Sequence, residues 1–240
     1  MVPRSGARVA SWFDSAVTTI EQMLGSAGAD PYSDSWDQLF EQVRHVGISD
    51  ADRTLLIERL PGIAAGCSAA DRDNVLFLAG HIAADLDEAS WPQFSNELET
   101  LHALAGDWLT SPKDPELFLY RLQAVAALEG DELWGAELHR IDEDEIEIEC
   151  PGCGTTLLVV FGDAGHFATH DDSATKPGIE KTPLLPAGPT ELDGAGQRLY
   201  QTSLRAGRTT VATALTYLFG RAECTQCNTI FRVSDQVFRY

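Results

Sequence analysis

Two Cys-x-x-Cys pairs constrain this chain more than any other feature of its sequence. Cys150 and Cys153 form the first pair, and Cys224 and Cys227 form the second. Thiolates at this spacing converge on one tetrahedral ion, and four sulfurs leave no position for water, which is typical of structural zinc. The sequence therefore predicts one structural Zn²⁺ bound by these four cysteines. The alternatives are a redox-active pair, an iron–sulfur cluster, and a catalytic zinc ion in which a histidine replaces one cysteine.

The residues around the two pairs indicate a small mixed domain. Apolar, strand-like residues follow each pair, at 157–161 and 229–233, and an alternating acidic and apolar strand runs into Cys150. The pattern resembles a zinc ribbon, in which two knuckles lie on short hairpins. A ribbon usually has about 15 to 20 residues between its pairs, so the longer segment here, 154–223, predicts an insertion. We expect a zinc-ribbon domain over 142–240, interrupted by a helical insertion at about 172–220.

Apolar residues at helical spacing dominate the chain before residue 142. The periodic sets are Phe13, Val17, Ile20 and Leu24; Trp36, Leu39, Phe40 and Val43; Val75, Leu78, Ala79 and Ile82; Phe94, Leu98, Leu101 and Ala105; and Phe118, Leu122, Val125 and Ala126. We expect Pro61 to kink or split one helix, Ser68 to begin another with Asp71, and Gly130 to end a third. The sequence predicts an all-helical domain over 11–141 after a disordered lead over 1–10. The fold class is therefore α+β.

A faint internal repeat lies within the helical part. Ala83, Ala84 and Trp91 recur 43 residues later as Ala126, Ala127 and Trp134, close to the period of about 40 to 47 residues in HEAT-type helical pairs. The stretch RLQAVAALEGDELWG also resembles the second helix of bacterial HEAT-like repeats. The resemblance covers about 34–140 and implies a curved helical stack that binds another macromolecule. An ordinary helical bundle is the alternative.

Charge divides the chain unevenly. Residues 1–149 hold 29 acidic and 9 basic residues, whereas residues 150–240 hold 8 of each, and the net charge is −20. Such a surface repels a phosphate backbone and favours a basic protein partner. Two alternatives remain. The acidic surface only maintains solubility, or it pairs with five arginines of the second region, Arg205, Arg208, Arg221, Arg232 and Arg239.

Catalytic motifs are absent from the sequence. There is no HExxH, GxSxG, phosphate-loop or dinucleotide pattern, and the histidines before residue 142 and Cys67 stand alone. We therefore expect a non-enzymatic protein-interaction module of adaptor, inhibitor or immunity type. The first alternative is a nucleic-acid-binding zinc ribbon that uses Arg205, Arg208 and Arg221. The second is an enzyme with a site between the domains that uses His166 or His170.

The distribution of apolar residues also bears on location. No apolar run approaches the length of about 20 residues that a membrane helix needs, and no apolar core of a signal peptide follows the first arginines. The sequence predicts a cytoplasmic protein without a membrane partner. The chain as a whole resembles bacterial proteins of undetermined role.

Overall fold

The computed structural model describes residues 19–110, 114–143, 145–162, 165–170, 176 and 178–239. The predicted lead over 1–10 and the start of the first predicted helix, Phe13 and Val17, lie outside these residues. The first helix, α1, begins at Ile20. Thr19 caps it, since its hydroxyl accepts from the Gln22 backbone N–H while its own N–H donates to Gln22 Oε1 at 2.9 Å.

Helices and turns account for the described residues up to Glu143, as the apolar periodicity predicts. The helices are α1 (Ile20–Ala29), α2 (Ser35–Glu41), α3 (Asp50–Gly66), α4 (Asp73–Ala84), α5 (Ser95–Leu109), α6 (Phe118–Leu128) and α7 (Trp134–Glu137). A π-helical turn, Gln42–Val46, continues α2, and short 3₁₀ turns lie at Ala69–Asp71, Trp91–Phe94, Pro115–Leu117 and Leu138–Glu143.

Of the two outcomes predicted for Pro61, a kink or a split, the split does not occur, because α3 runs through this residue from Asp50 to Gly66. Proline removes one backbone hydrogen bond, but Leu56, Leu60 and Ala64 on either side are fully buried. The free energy gained by burying this face of α3 outweighs the loss of the one hydrogen bond.

The predicted helix boundaries are right in one case and displaced in another. Gly130 follows α6 with φ +81°, the left-handed conformation expected there. Ser68 does hydrogen-bond Asp71, with 2.7 Å between Oγ and Oδ2, but the pair encloses only a 3₁₀ turn. The helix α4 starts later, at Asp73. The capping signal therefore marks the turn that leads to the helix.

A buried ion pair ties the central helices together. Arg121 on α6 is 1% exposed, and its Nε donates to Asp73 Oδ1 on α4 at 2.9 Å. Trp108 Nε1 on α5 donates to the same oxygen at 2.7 Å. The carboxylate is thus compensated by two donors, as a partly buried charge requires.

Strands occupy the chain on both sides of the two cysteine pairs. One antiparallel sheet has the order β1 (Glu145–Glu149), β2 (Thr156–Gly162), β3 (Gly165–Thr169) and β4 (Thr182–Pro183), and a second contains β5 (Arg221–Glu223) and β6 (Ile230–Arg232). Two helices, α8 (Gly194–Arg205) and α9 (Thr209–Leu218), lie in the chain between the sheets. The structure confirms a mixed α+β architecture with a small antiparallel sheet.

One continuous set of buried apolar side chains joins the helices to the sheets. The rings of Trp134 on α7 and Phe219 after α9 lie 5.0 Å apart. Arg198 on α8 contributes ion pairs to Glu129 and Asp131, at 3.3 and 3.0 Å. The predicted boundary after residue 141 falls where the 3₁₀ turn Leu138–Glu143 leads toward β1. None of the described helices is both long enough and apolar enough to cross a membrane.

Candidate metal centre

The two cysteine pairs lie in two loops of the same design. The first loop connects β1 to β2. In it the Cys150 N–H donates to Thr155 O at 2.9 Å, and the Gly154 N–H donates to Cys150 O at 2.8 Å. Gly154 has φ +71°, a conformation that glycine adopts without steric cost.

The second loop connects β5 to β6 and repeats these bonds. The Cys224 N–H donates to Thr229 O at 3.0 Å, and the Asn228 N–H donates to Cys224 O at 2.9 Å. Asn228 has φ +59°, and asparagine is among the few residues that tolerate this region. Each loop therefore has the sequence Cys-x-x-Cys, followed by a residue in the left-handed backbone conformation and then by threonine.

The four sulfurs converge at distances that suit one metal ion. Cys150 Sγ lies 3.6 Å from Cys227 Sγ, and Cys153 Sγ lies 3.8 Å from Cys224 Sγ. All four ligand atoms lie within 4.8 Å of one another. Thiolates about 2.3 Å from a central ion form a tetrahedron with edges of roughly 3.8 Å. The four cysteines are thus close enough to bind one metal ion, and all are free thiols in this structure.

Each loop presents one buried and one exposed cysteine. Cys150 and Cys224 are buried, whereas Cys153 and Cys227 are exposed. Burial raises the pKa of the Cys150 thiol to about 11. The hydroxyl of Thr229, 3.1 Å from Cys227 Sγ, stabilises the thiolate and lowers the pKa of Cys227 to about 6.

The sequence did not draw attention to Thr155 and Thr229, whose hydroxyls lie beside the exposed thiols. Thr155 Oγ1 lies 3.4 Å from Cys153 Sγ and lowers the pKa of that thiol, as Thr229 does for Cys227. A hydroxyl that hydrogen-bonds a thiolate also orients a metal ligand. The signal was present in the sequence, because CPGCGT and CTQCNT share the same spacing from cysteine to threonine.

The two histidines predicted as alternative ligands lie outside the cluster of four cysteines. His170 is adjacent to it, since its Nδ1 lies 2.5 Å from the hydroxyl oxygen of Thr225, between the two cysteines of the second loop. The ring of His166 stacks on Tyr217 of α9, with centroids 3.8 Å apart. Desolvation lowers the pKa of His166.

The three arginines predicted as nucleic-acid contacts do not share one environment. Arg208 precedes α9, is half-buried, and lies over the Phe118 ring at 5.7 Å. Arg205 is exposed and donates to the Thr202 hydroxyl. Arg221 lies beyond the other end of α9, whose 10 residues span about 15 Å.

Comparison with protein-family models, with curated proteins and with solved structures finds no match for this chain. The functional assignment therefore rests on the residues of this chain alone.

Proposed function

We propose that the chain is a non-enzymatic protein-interaction module, of adaptor, inhibitor or immunity type, whose acidic helical region binds a basic protein. The observation that carries this proposal is how the basic side chains of that region are used. Arg121 is buried against Asp73. Arg72 donates to the backbone carbonyls of Ala64 and Leu104, at 3.0 and 2.9 Å. These two guanidinium groups are thus held internally. Arg53 pairs with the exposed Asp50 at 3.2 Å, and Arg44 and Arg59 are exposed, so the cations at the surface of this region are few beside its exposed carboxylates.

The carboxylates themselves face solvent. On β1, Glu145, Glu147 and Glu149 are exposed while the alternate isoleucines are buried. Residues two apart on a strand lie about 6.7 Å apart, so these three form one acidic strip. Exposed acidic residues on or beside the helices include Glu58, Asp87, Glu88, Glu99 and Asp107. A surface of one sign accelerates association with a partner of the opposite sign.

Arginines of the second region neutralise only part of this surface. Arg198 pairs with Glu129 and Asp131, and Arg239 pairs with Asp85. Arg232 instead pairs with Asp193 in its own region, at 3.1 Å. This distribution of ion pairs supports a basic partner outside the chain, because the arginines of the second region leave part of the acidic surface unneutralised.

We infer that the metal is a structural Zn²⁺ and that the two loops are the knuckles of a split zinc ribbon. Four sulfurs complete a tetrahedron and leave no site for water, which is the arrangement of structural rather than catalytic zinc. The short hairpins on both sides of the cluster support this interpretation. In this proposal the metal holds the sheets in place and the helical surface binds the partner.

A HEAT-like arrangement of the helices fits the same proposal. The alanines that repeat at an offset of 43 residues lie on α4 and α6, and all four are buried. These two helices pack against each other at Gly80, where an added Cβ would lie 2.7 Å from the Ala124 Cβ. Stacked repeats bury their small residues against neighbours and leave an extended surface for a partner.

The test is an affinity capture at low salt followed by quantitative binding of the captured protein after purification. We expect that protein to be basic and its affinity to fall as salt rises, because salt screens exposed charges. Two variants divide the acidic surface: Glu99→Gln with Asp107→Asn, and the triple change of Glu145, Glu147 and Glu149 to Gln. At least one should weaken binding by about tenfold or more.

The matched control removes the same kind of charge from the second region, through Glu180→Gln with Asp235→Asn. Both residues are exposed, and their replacement should leave binding unchanged. An affinity that is independent of salt, or equally weakened by the control, contradicts the proposal. Capture of RNA or DNA that is lost with Arg205→Gln and Arg221→Gln would instead support the nucleic-acid alternative.

A further inference from the structure

A second concave site lies among the helices, away from the metal centre. A cleft of about 600 Å³ opens between α2 with its π-helical turn, α4, and the pair α6 and α7. Small-molecule sites in proteins typically enclose about 300 to 1,000 Å³. The cleft therefore has room for a small organic ligand.

The floor and one wall of the cleft are apolar. Small residues form the floor, and Phe40, Phe77 and Leu117 supply larger apolar side chains. The small residues are Gly80, Ala84, Ala124, Gly135 and Ala136. Short side chains leave space that larger residues would fill, so the cleft follows from the same glycines that let the helices approach closely. The π-helical turn borders it, and such turns are frequent at functional sites.

Gln123 supplies a buried hydrogen-bond donor to this cleft. The residue is 7% exposed. Its Oε1 accepts from the His139 backbone N–H at 2.6 Å and lies 3.0 Å from His139 Nδ1. These contacts fix the oxygen, and the NH₂ group of the amide has no hydrogen-bond partner among the described residues. The NH₂ group can therefore donate to an acceptor on a ligand in the cleft.

Arg44 and His81 add donors to the lining of the cleft, and they lie close enough for the charge of Arg44 to act on His81. Arg44 lies in the π-helical turn, is exposed, and makes no ion pair within the described part of the chain. The His81 ring meets Phe40 edge-on at 5.9 Å, and its nitrogens have no hydrogen-bond partner in the described ranges. Burial, reinforced by the charge of Arg44, lowers the pKa of His81 to about 4. The neutral ring keeps one N–H donor.

The acidic residues of the lining are mostly compensated. Asp85 pairs with Arg239, and Glu137 lies 3.7 Å from Arg140. Asp37 is exposed and precedes Arg44 by seven residues, which corresponds to about 10 Å along the helix. Asp37 is thus the one acidic lining residue that forms no ion pair among the described residues.

We propose that this cleft binds a small monocarboxylate with an apolar body. The carboxylate accepts from the Arg44 guanidinium and from the Gln123 NH₂ group, and the apolar body packs on Phe40, Phe77 and Leu117. An ionised carboxylate has only acceptors, which matches a cleft lining that offers donors. The planar guanidinium can bind both carboxylate oxygens at once.

The test uses 3-phenylpropionate as the probe, with 3-phenylpropanol and 3-phenylpropylamine as neutral and cationic analogues of similar shape. Titrations of the full-length, isotope-labelled protein are followed by NMR. We expect 3-phenylpropionate to bind with a Kd on the order of 1 mM or tighter, given its few heavy atoms. The alcohol and the amine should bind at least about tenfold more weakly.

Variants at the rim locate the carboxylate. Arg44→Gln should weaken 3-phenylpropionate binding by about tenfold or more and leave alcohol binding unchanged, and Arg44→Lys should restore part of the loss. Gln123→Glu keeps the acceptor for His139 but replaces the donor, so it should also weaken binding of the acid. The matched control is Arg59→Gln, which removes an exposed arginine of α3 outside the cleft.

Three results would overturn the proposal. They are equal affinity for the acid and the alcohol, an affinity for the acid that Arg44→Gln does not change, and no response of cleft residues at about 10 mM probe. Because Arg44 is exposed, its replacement preserves the fold, which circular dichroism verifies.

Discussion

The pKa of His81 is set by residues that are distant from it in the sequence. It lies on α4, and its ring contacts Phe40 on α2. Desolvation is the main cause of its lowered pKa, with Arg44 and His139 acting in the same direction and Asp85 opposing them. The folded protein therefore holds this imidazole neutral under conditions in which an exposed histidine is partly charged.

This environment predicts a pH dependence of stability. The pKa of His81 is about 4 in the folded state and about 6.5 in the unfolded state. The unfolded state binds more protons between these values, so stability is complete above pH 6.5 and falls as pH decreases toward 4. We expect His81→Leu to abolish a loss of roughly 2 kcal/mol between pH 8 and pH 5.

The measurement is urea unfolding of both proteins at each pH, compared as a difference, since other groups also titrate in this range. His45→Gln is the control, because His45 is exposed at the end of the π-helical turn. It should retain the wild-type dependence. An equal pH dependence in wild type and His81→Leu would show that this ring is not held neutral.

At the residue scale, the sequence was informative where function depends on local spacing. The spacing within each Cys-x-x-Cys pair indicated the four cysteines that the structure brings together. The sequence analysis treated His81 and His139 as isolated residues, yet both line one cleft. Their neighbours come from distant segments, so no local pattern could reveal the contact.

Among the elements, α4 and α6 make one of the close helix contacts that glycines permit within the helical region. A Cβ on Gly80 would lie 2.7 Å from Ala124 Cβ and 2.8 Å from Ala124 Cα. The second atom belongs to the backbone and cannot rotate away. The helices would have to separate to admit even one methyl group.

Gly80→Ala should therefore destabilise the protein by about 1 to 3 kcal/mol, in spite of the better helix propensity of alanine. Gly106→Ala on α5 is the matched control, because nothing lies within 4 Å of the added Cβ. It should stabilise by up to about 1 kcal/mol. Chemical denaturation measures both, and a stabilising effect of Gly80→Ala would contradict this close packing.

Elements were predictable to the extent that their own residues determine them. The helices α4, α5 and α6 follow the apolar periodicity. By contrast, β4 has only two residues, Thr182–Pro183, and pairs with Phe167 and Ala168 of β3. So short a strand has no periodicity of its own and exists because a partner strand is present.

For the whole molecule, the candidate metal centre lies where the cysteine loops of the two sheets meet. Cys150→Ser or Cys224→Ser should release about one metal ion per chain and unfold the region around the sheets, because each removes a buried ligand. The helical region should remain largely helical, since it buries its own side chains, among them Trp36 and Trp108.

Elemental analysis and circular dichroism measure this outcome. Cys67→Ser is the matched control, because Cys67 follows α3 and lies outside the cluster. It should retain the metal and the fold. Retention of both by Cys150→Ser would refute the assignment of the site.

The way in which the two regions join could not be predicted from the sequence. The contact between Trp134 and Phe219 and the pairing of Arg239 with Asp85 connect residues that are far apart in the chain. The uneven charge indicated two different surfaces. The structure adds that Arg198 and Arg239 of the second region form ion pairs with acidic residues of the first. Such contacts depend on the final arrangement of many elements.

The long separation between the two halves of the metal centre has a consequence for how the protein folds. Cys153 and Cys224 are 71 residues apart. Closing so long a loop costs only about 1 kcal/mol more in chain entropy than closing a ribbon-length loop, because the cost grows with the logarithm of length. Contacts of high sequence separation nevertheless form slowly. A nascent chain that ends before Cys224 offers a metal ion only two of the four clustered sulfurs, so full coordination requires synthesis through Cys227.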